Sequence, residues 1–115
     1  MIQLQRKDIP IIKEKLLIKQ KGLCLICGRN LNELDSFERC LDHNHTTWMV
    51  RAVLCRQCNA LEGKIHRSFI RAGAKNKGID YEEFLKGLLK FQKKKDTKYR
   101  YPDKPKRRKK KKVKR

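Results

Sequence analysis

Asp42-His43-Asn44-His45 stands between Cys24-Leu25-Ile26-Cys27 and Cys55-Arg56-Gln57-Cys58, and Asn59 follows the last cysteine directly. The two Cys-x-x-Cys pairs are 27 residues apart, so each can clamp one ion with its own backbone turn. Cys24, Cys27, Cys55 and Cys58 are therefore expected to bind a structural Zn²⁺. Four uncoordinated thiols in a core are the plainer alternative. The acid, the two imidazoles and the amide between and after these pairs suit a second chemistry. Asp and Asn oxygens favour a hard divalent cation, and a neutral imidazole can take a proton from water. An acid–histidine pair also arises by chance, and it gains weight here only because the cysteines pin Asn59 and Glu62 to the same frame.

Around this centre the chain reads as mainly α with a small β-hairpin. Arg39-Cys40-Leu41 leads as a short strand into Asp42, Asn44 to Thr47 is a turn, and Trp48 to Leu54 is the return strand. A helix is expected from Cys55 or Arg56 to about Ala72, with Leu61, Ile65, Phe69 and Ala72 as its apolar face and Gly73 as its stop. Asn59 and Glu62, three apart, share a side of it. Gly63 is unfavourable inside a helix, and it fits either a close approach of the hairpin or a phosphate, or simply tight packing.

Upstream, Asp8 is placed to cap a helix with Pro10 in its first turn, Ile11, Ile12, Leu16 and Leu17 on its apolar face, and Gly22 at its end. Its lysines form either a solvated face or a DNA-facing stripe. Asn30 to Glu38 is irregular, held down by Leu31, Leu34 and Phe37. Downstream of a basic loop, Asp80 and Glu83 resemble a capping box for a helix lined by Tyr81, Phe84, Leu85, Leu88 and Leu89. Part of that face is surplus to so small a core and suits a second subunit.

The formal charge is +20 over 115 residues. Residues 93–115 hold 15 Lys/Arg against Asp96 and Asp103, a net of +13, leaving +7 for residues 1–92. The expected organisation is a metal-bound domain over 1–92 and a lysine-rich flexible tail over 93–115. Both parts call for a polyanion, nucleic acid before a membrane surface, because no stretch is both long and apolar. The first residues are no secretory signal, and paired Cys-x-x-Cys motifs fit a reducing compartment, so a cytoplasmic, non-secreted protein is expected. Cys40 is left over and reads as a small half-buried residue.

Asp42-His43-Asn44-His45, with Val50-Arg51-Ala52-Val53-Leu54-Cys55-Arg56-Gln57-Cys58-Asn59-Ala60-Leu61-Glu62-Gly63 after it, resembles the phage recombination endonuclease VII family, part of the wider His-Asn-His, ββα-metal nucleases. Arg71-Ala72-Gly73 and Gly78-Ile79-Asp80-Tyr81 extend the likeness, which runs from about Leu23 to Leu89. The chain departs from it in several features. Asn44 stands where Asp is common, Ala52 replaces a usual Gly, and the turn before Val50 is short. The resemblance implies a zinc-stapled nuclease core flanked by helices and a dimeric, Mg²⁺-dependent DNase, with Mn²⁺ able to substitute, that cuts branched DNA such as four-way junctions. It implies that Asp42 and Asn59 hold the catalytic metal, that His43 is the general base, and that His45 and Glu62 support the metal or the scissile phosphate. Nicking or general cleavage of duplex DNA is an alternative, because branch recognition needs surfaces beyond the active site. A zinc-bearing DNA-binding module without activity is another, but it has no need of Asp42, His43 and Asn59 together.

Overall fold

The computed structural model describes residues 1–102. The lysine-rich block expected to be disordered, Lys104 to Arg115, lies outside the described residues. Among the described residues are three α-helices, α1 (Ile9–Lys19), α2 (Arg56–Arg71) and α3 (Tyr81–Gln92), and one antiparallel pair, β1 (Arg39–His43) with β2 (Val50–Cys55). They fall into two units, Met1–Tyr81 and a second from Glu82 onward. None of these helices is long and apolar enough to cross a membrane.

In the first unit, α1 starts as expected around Pro10, but the Asp8 side chain does not cap it. Its carboxylate instead accepts the Gln5 N–H at 2.8 Å, closing a 3₁₀ turn over Arg6–Asp8. Leu17 is buried, whereas Ile11 and Ile18 face water. Gly22 takes φ +73 just past the helix, where its N–H reaches the Leu17 carbonyl at 2.8 Å, so the glycine stop is a left-handed one. Gln20 then does something the sequence did not announce. Its amide Nε2 donates to the Val53 carbonyl at 2.9 Å, and its Oε1 accepts the Val53 N–H at 2.8 Å. One side chain thus stands in for a third strand along the free edge of β2.

The first cysteine pair closes on itself. Cys24 N–H donates to the Arg29 carbonyl and Gly28 N–H to the Cys24 carbonyl, both at 2.9 Å, with Gly28 at φ +76. Leu31 is fully buried and Leu34 half-buried beyond it, while Phe37 is exposed rather than tacked down. The core joins Leu17, Cys24, Leu31, Val53, Leu54 and Cys55, so two of the expected metal ligands are themselves core residues.

The hairpin pairs Arg39 with Cys55, Cys40 with Leu54, Leu41 with Val53 and Asp42 with Ala52, and then slips, so that His43 faces Val50. A regular ladder would set His43 opposite Arg51. The bulge leaves Arg51 unpaired and re-aims it. The return strand begins at Val50, later than expected, because Trp48 adopts φ +63 and keeps Met49 in the turn.

Helix α2 corrects the expectation of an apolar face through Leu61, Ile65, Phe69 and Ala72. Only Phe69 is buried; Leu61 is 59% exposed, and Ile65 and Ala72 are exposed with it. The face that is at least half-buried runs through Cys58, Glu62, His66 and Phe69, one above another at helical spacing. The cysteine frame and the polar groups of the hairpin seat this helix, and they outweigh apolar periodicity. A Cβ on Gly63 would come only to ordinary contact with the His45 ring, at 3.9 Å, so the hairpin does not require a glycine there. Gly73, at φ +72, follows the helix end as expected. Within α3 itself, Phe84, Leu85, Leu88 and Leu89 lie on the surface, and Lys86 bridges Glu82 and Glu83 at 3.6 and 3.4 Å.

Candidate metal centre and acid–histidine site

The four thiols of Cys24, Cys27, Cys55 and Cys58 lie within 4.8 Å of one another, and Cys27 Sγ is 3.8 Å from Cys55 Sγ. The edge of a sulfur tetrahedron around zinc, with Zn–S near 2.3 Å, is about 3.8 Å. The thiols also titrate unequally. Burial pushes the Cys24 thiol up, but hydrogen bonds from the Cys27, Cys55 and Ile26 backbone and from the Cys27 thiol outweigh it and bring it down to about 6. Burial and the hydrogen bonds shared with its three partners push Cys58 up to about 12. One thiolate forms readily and a full set does not, which is the situation a divalent cation resolves. The tetrad has the chemistry of a structural zinc site. Cys40 is half-buried on β1, outside it.

The cluster also fixes the start of α2. Cys55 is the residue before the helix, and its Sγ accepts the Cys58 N–H at 3.5 Å. The helix is thereby joined to the end of β2, and Asn59 falls half-buried in its first turn.

Asp42 is the buried charge of the first unit, at 5% exposure. Arg51, freed by the bulge, grips it with two hydrogen bonds, Nε to Oδ2 at 2.7 Å and Nη2 to Oδ1 at 3.0 Å. The same Nη2 donates to Glu62 Oε1 at 3.2 Å, and the other oxygen of Glu62 lies 2.7 Å from His45 Nε2. Hydrogen bonding to Asp42 pushes the Arg51 guanidinium above its ordinary value, against the opposing effect of burial. Burial alone would raise the Glu62 carboxyl, but His45 and Arg51 outweigh it and hold it below the usual carboxylate range. Asp42, Arg51, Glu62 and His45 thus form one continuous chain of charge-assisted contacts.

Aromatic contacts complete the site. His45 stacks on His66 with ring centroids 4.5 Å apart, and Tyr81 meets His66 edge-on at 5.0 Å. His43 lies outside the ion-pair chain, stacked under Trp48 at 4.7 Å and 12°. The structure therefore brings Asp42, His45 and Glu62 together through Arg51 and sets His43 beside them. Among the described residues, the Asn59 amide makes no hydrogen bond to this set. Sequence reasoning missed Arg51, Trp48 and His66. Arg51 was hidden by the bulge and Trp48 by its strand-like neighbours. His66 could have been found, since it lies four residues after Glu62 on the same face.

As a donor set, Asp42 with the Asn59 amide could supply two hard oxygens to Mg²⁺, an ion that keeps much of its water. The burial of Asp42 against a guanidinium marks its position as one that takes positive charge. Arg51 would have to yield at least one oxygen first.

A hairpin and helix knotted by four cysteines, presenting a buried acid and two histidines at one edge, define the class. The family model for recombination endonuclease VII matches residues 4–94, and the chain belongs to that family. It is a DNA endonuclease of recombination.

Proposed function

We propose that the chain is a Mg²⁺-dependent endodeoxyribonuclease of the His-Asn-His, ββα-metal type, with the nuclease core in residues 1–92 and DNA branches such as four-way junctions as substrate. The observation that carries this is the placement of buried Asp42 beside His43 at the end of β1, with α2 tied to the same hairpin through the four thiols. β1, β2 and α2 would then be the mainly helical fold's catalytic unit.

In this reading Asp42 and Asn59 hold Mg²⁺, which when bound supplies positive charge against the charge that builds on phosphorus and the leaving oxygen. His43, in its neutral form, takes a proton from water. The water oxygen bonds to phosphorus in line, the bond to the 3′ oxygen breaks, and that oxygen takes a proton from solvent, leaving 5′-phosphate and 3′-hydroxyl ends. Glu62 and His45 keep the site's charges ordered around the phosphate. Zinc is structural in this scheme. The exposed apolar residues of α3 support a homodimer, whose two sites would cut opposed strands in one encounter.

The test is cleavage of a four-way junction and of its linear duplex arms, with and without Mg²⁺, by the wild type and by His43→Ala. The variant should bind DNA and fold normally but cut about 10²-fold more slowly or worse. Near-normal cleavage by His43→Ala removes the assignment of the base, and equal cleavage of arms and junction removes the branch preference. Light scattering at micromolar concentration reads the dimer, and a monomeric mass with activity linear in enzyme counts against it.

A further inference from the structure

The chain has a single tryptophan, and it is not in the core. Trp48 sits on the turn between β1 and β2, 74% exposed, at φ +63. A left-handed backbone is unusual for a bulky side chain and persists only where the surroundings impose it. Here Asn44 imposes it. Its side-chain oxygen accepts the N–H groups of Thr46 and Thr47 at 2.8 and 3.0 Å, its carbonyl accepts the Trp48 N–H at 2.9 Å, and its own N–H reaches the Met49 carbonyl at 2.8 Å. The turn thus fixes an indole where water would normally be kept from it.

One face of that indole is covered. The His43 ring lies nearly parallel to it, with centroids 4.7 Å apart. The other face is open. The geometry points to Trp48 as a stacking platform for an unpaired nucleobase of the DNA substrate, one face on His43 and the other on the base next to the phosphate being cut. The inference rests on the DNA endonuclease reading above and adds to it a residue that chooses among DNA structures.

The choice follows from the geometry of stacking. A base inside an intact duplex has both faces covered by its neighbours and cannot lie flat on an indole. A base at a branch, gap or flap has a face to give. Stacking on an aromatic side chain tolerates any base, because every base has a π-face. Met49, the next residue in the chain, is also exposed.

The experiment uses the full chain, zinc-loaded and free of Mg²⁺ so that nothing is cut. Because Trp48 is the sole tryptophan, selectively excited indole emission reports this site alone. The probes are an intact duplex, the same duplex with a short single-stranded gap, and the gapped duplex with abasic sites in place of the gap bases. Quenching is expected with the gapped DNA, and little with the intact or abasic forms. Trp48→Ala should weaken gapped-DNA binding by about 5- to 150-fold, the worth of one stacked base, and duplex binding far less. Trp48→Phe should recover part of the loss. Trp48→Gly, which accepts the left-handed backbone without strain, should match Trp48→Ala and shows that the loss is not a misfolded turn. Equal quenching by all three DNAs, or equal loss on gapped and intact DNA, overturns the platform while leaving the endonuclease reading standing. No DNA binding by the wild type overturns both.

Discussion

Arg51 holds both carboxylate oxygens of Asp42, with Nε at 2.7 Å and Nη2 at 3.0 Å. The pair is lopsided in burial, since the Asp42 side chain is 6% exposed and that of Arg51 40%. The carboxylate therefore depends on the guanidinium far more than the reverse. A buried charge left without its partner is destabilising, and the open side of Arg51 lets water repair part of the loss. Arg51→Gln in zinc-loaded, Mg²⁺-free buffer should cost about 1–2 kcal/mol of folding stability. If the guanidinium also occupies the place of a divalent cation, adding Mg²⁺ should raise the melting midpoint of Arg51→Gln more than that of the wild type. Equal shifts would mean that the arginine and the metal do not compete for Asp42.

Zinc should be inseparable from the fold. Two of the four thiols lie in the core, and Cys55 in addition accepts the Cys58 N–H in the first turn of α2. In such sites the energy of metal binding is folding energy. Elemental analysis should find one zinc per chain. Cys55→Ser should lose both the zinc and the cooperative thermal transition. Cys40→Ser, outside the tetrad, should keep both. Well-folded wild type without zinc would refute the assignment.

Gln20 offers a test of the fold that does not touch the site. Its amide supplies both the donor and the acceptor that pair Val53, which is fully buried. Gln20→Leu keeps the bulk and leaves both backbone groups without a partner, at a cost of about 1–3 kcal/mol. Gln20→Glu keeps an acceptor for the N–H but turns an oxygen toward the Val53 carbonyl, and it should be destabilised as well. Denaturant melts read the loss, and hydrogen exchange at the Val53 amide locates it. Wild-type melts for both variants would show that the clip is idle.

The cysteine knuckle, the hairpin and the glycine stops were legible because each rests on a local rule. Paired thiols need a set spacing, strands alternate, and left-handed ends need glycine. The apolar side of α2 was misread because periodicity assumes that the helix is seated by its oily residues, whereas Cys58, Glu62 and His66 seat this one. Arg51 was invisible for a related reason. Alternation along a strand places it on the side away from Asp42, and only the one-residue slip between Asp42 and His43 brings it back. Trp48 read as strand because its neighbours are Met and Val, while the hydrogen bonds that hold it in the turn run mainly to Asn44, with one more from the Met49 N–H to Thr47 Oγ1. Asp42, His43, His45 and Glu62 could be named from the sequence, but the chain of contacts through Arg51 that orders them could not.

The block from Lys104 to Arg115 carries ten Lys/Arg in twelve residues, and its contribution should be affinity without selectivity. Its near-uniform charge offers no apolar pattern for a fold that would aim these side chains at base edges. What they can do is neutralise phosphates and release counterions, which is independent of sequence. Deleting residues 104–115 should therefore weaken DNA binding at low salt and flatten the dependence of log affinity on log salt. Each lost phosphate contact should remove a slope of about 0.9 on duplex DNA. Single-turnover cleavage at saturating enzyme should change little, because Asp42, His43 and Glu62 remain. An unchanged salt slope would show that the block is a solubility or targeting segment and not a DNA arm. Loss of preference for branched over linear DNA at unchanged affinity would show instead that the tail takes part in recognition, a role its composition gives no means to perform.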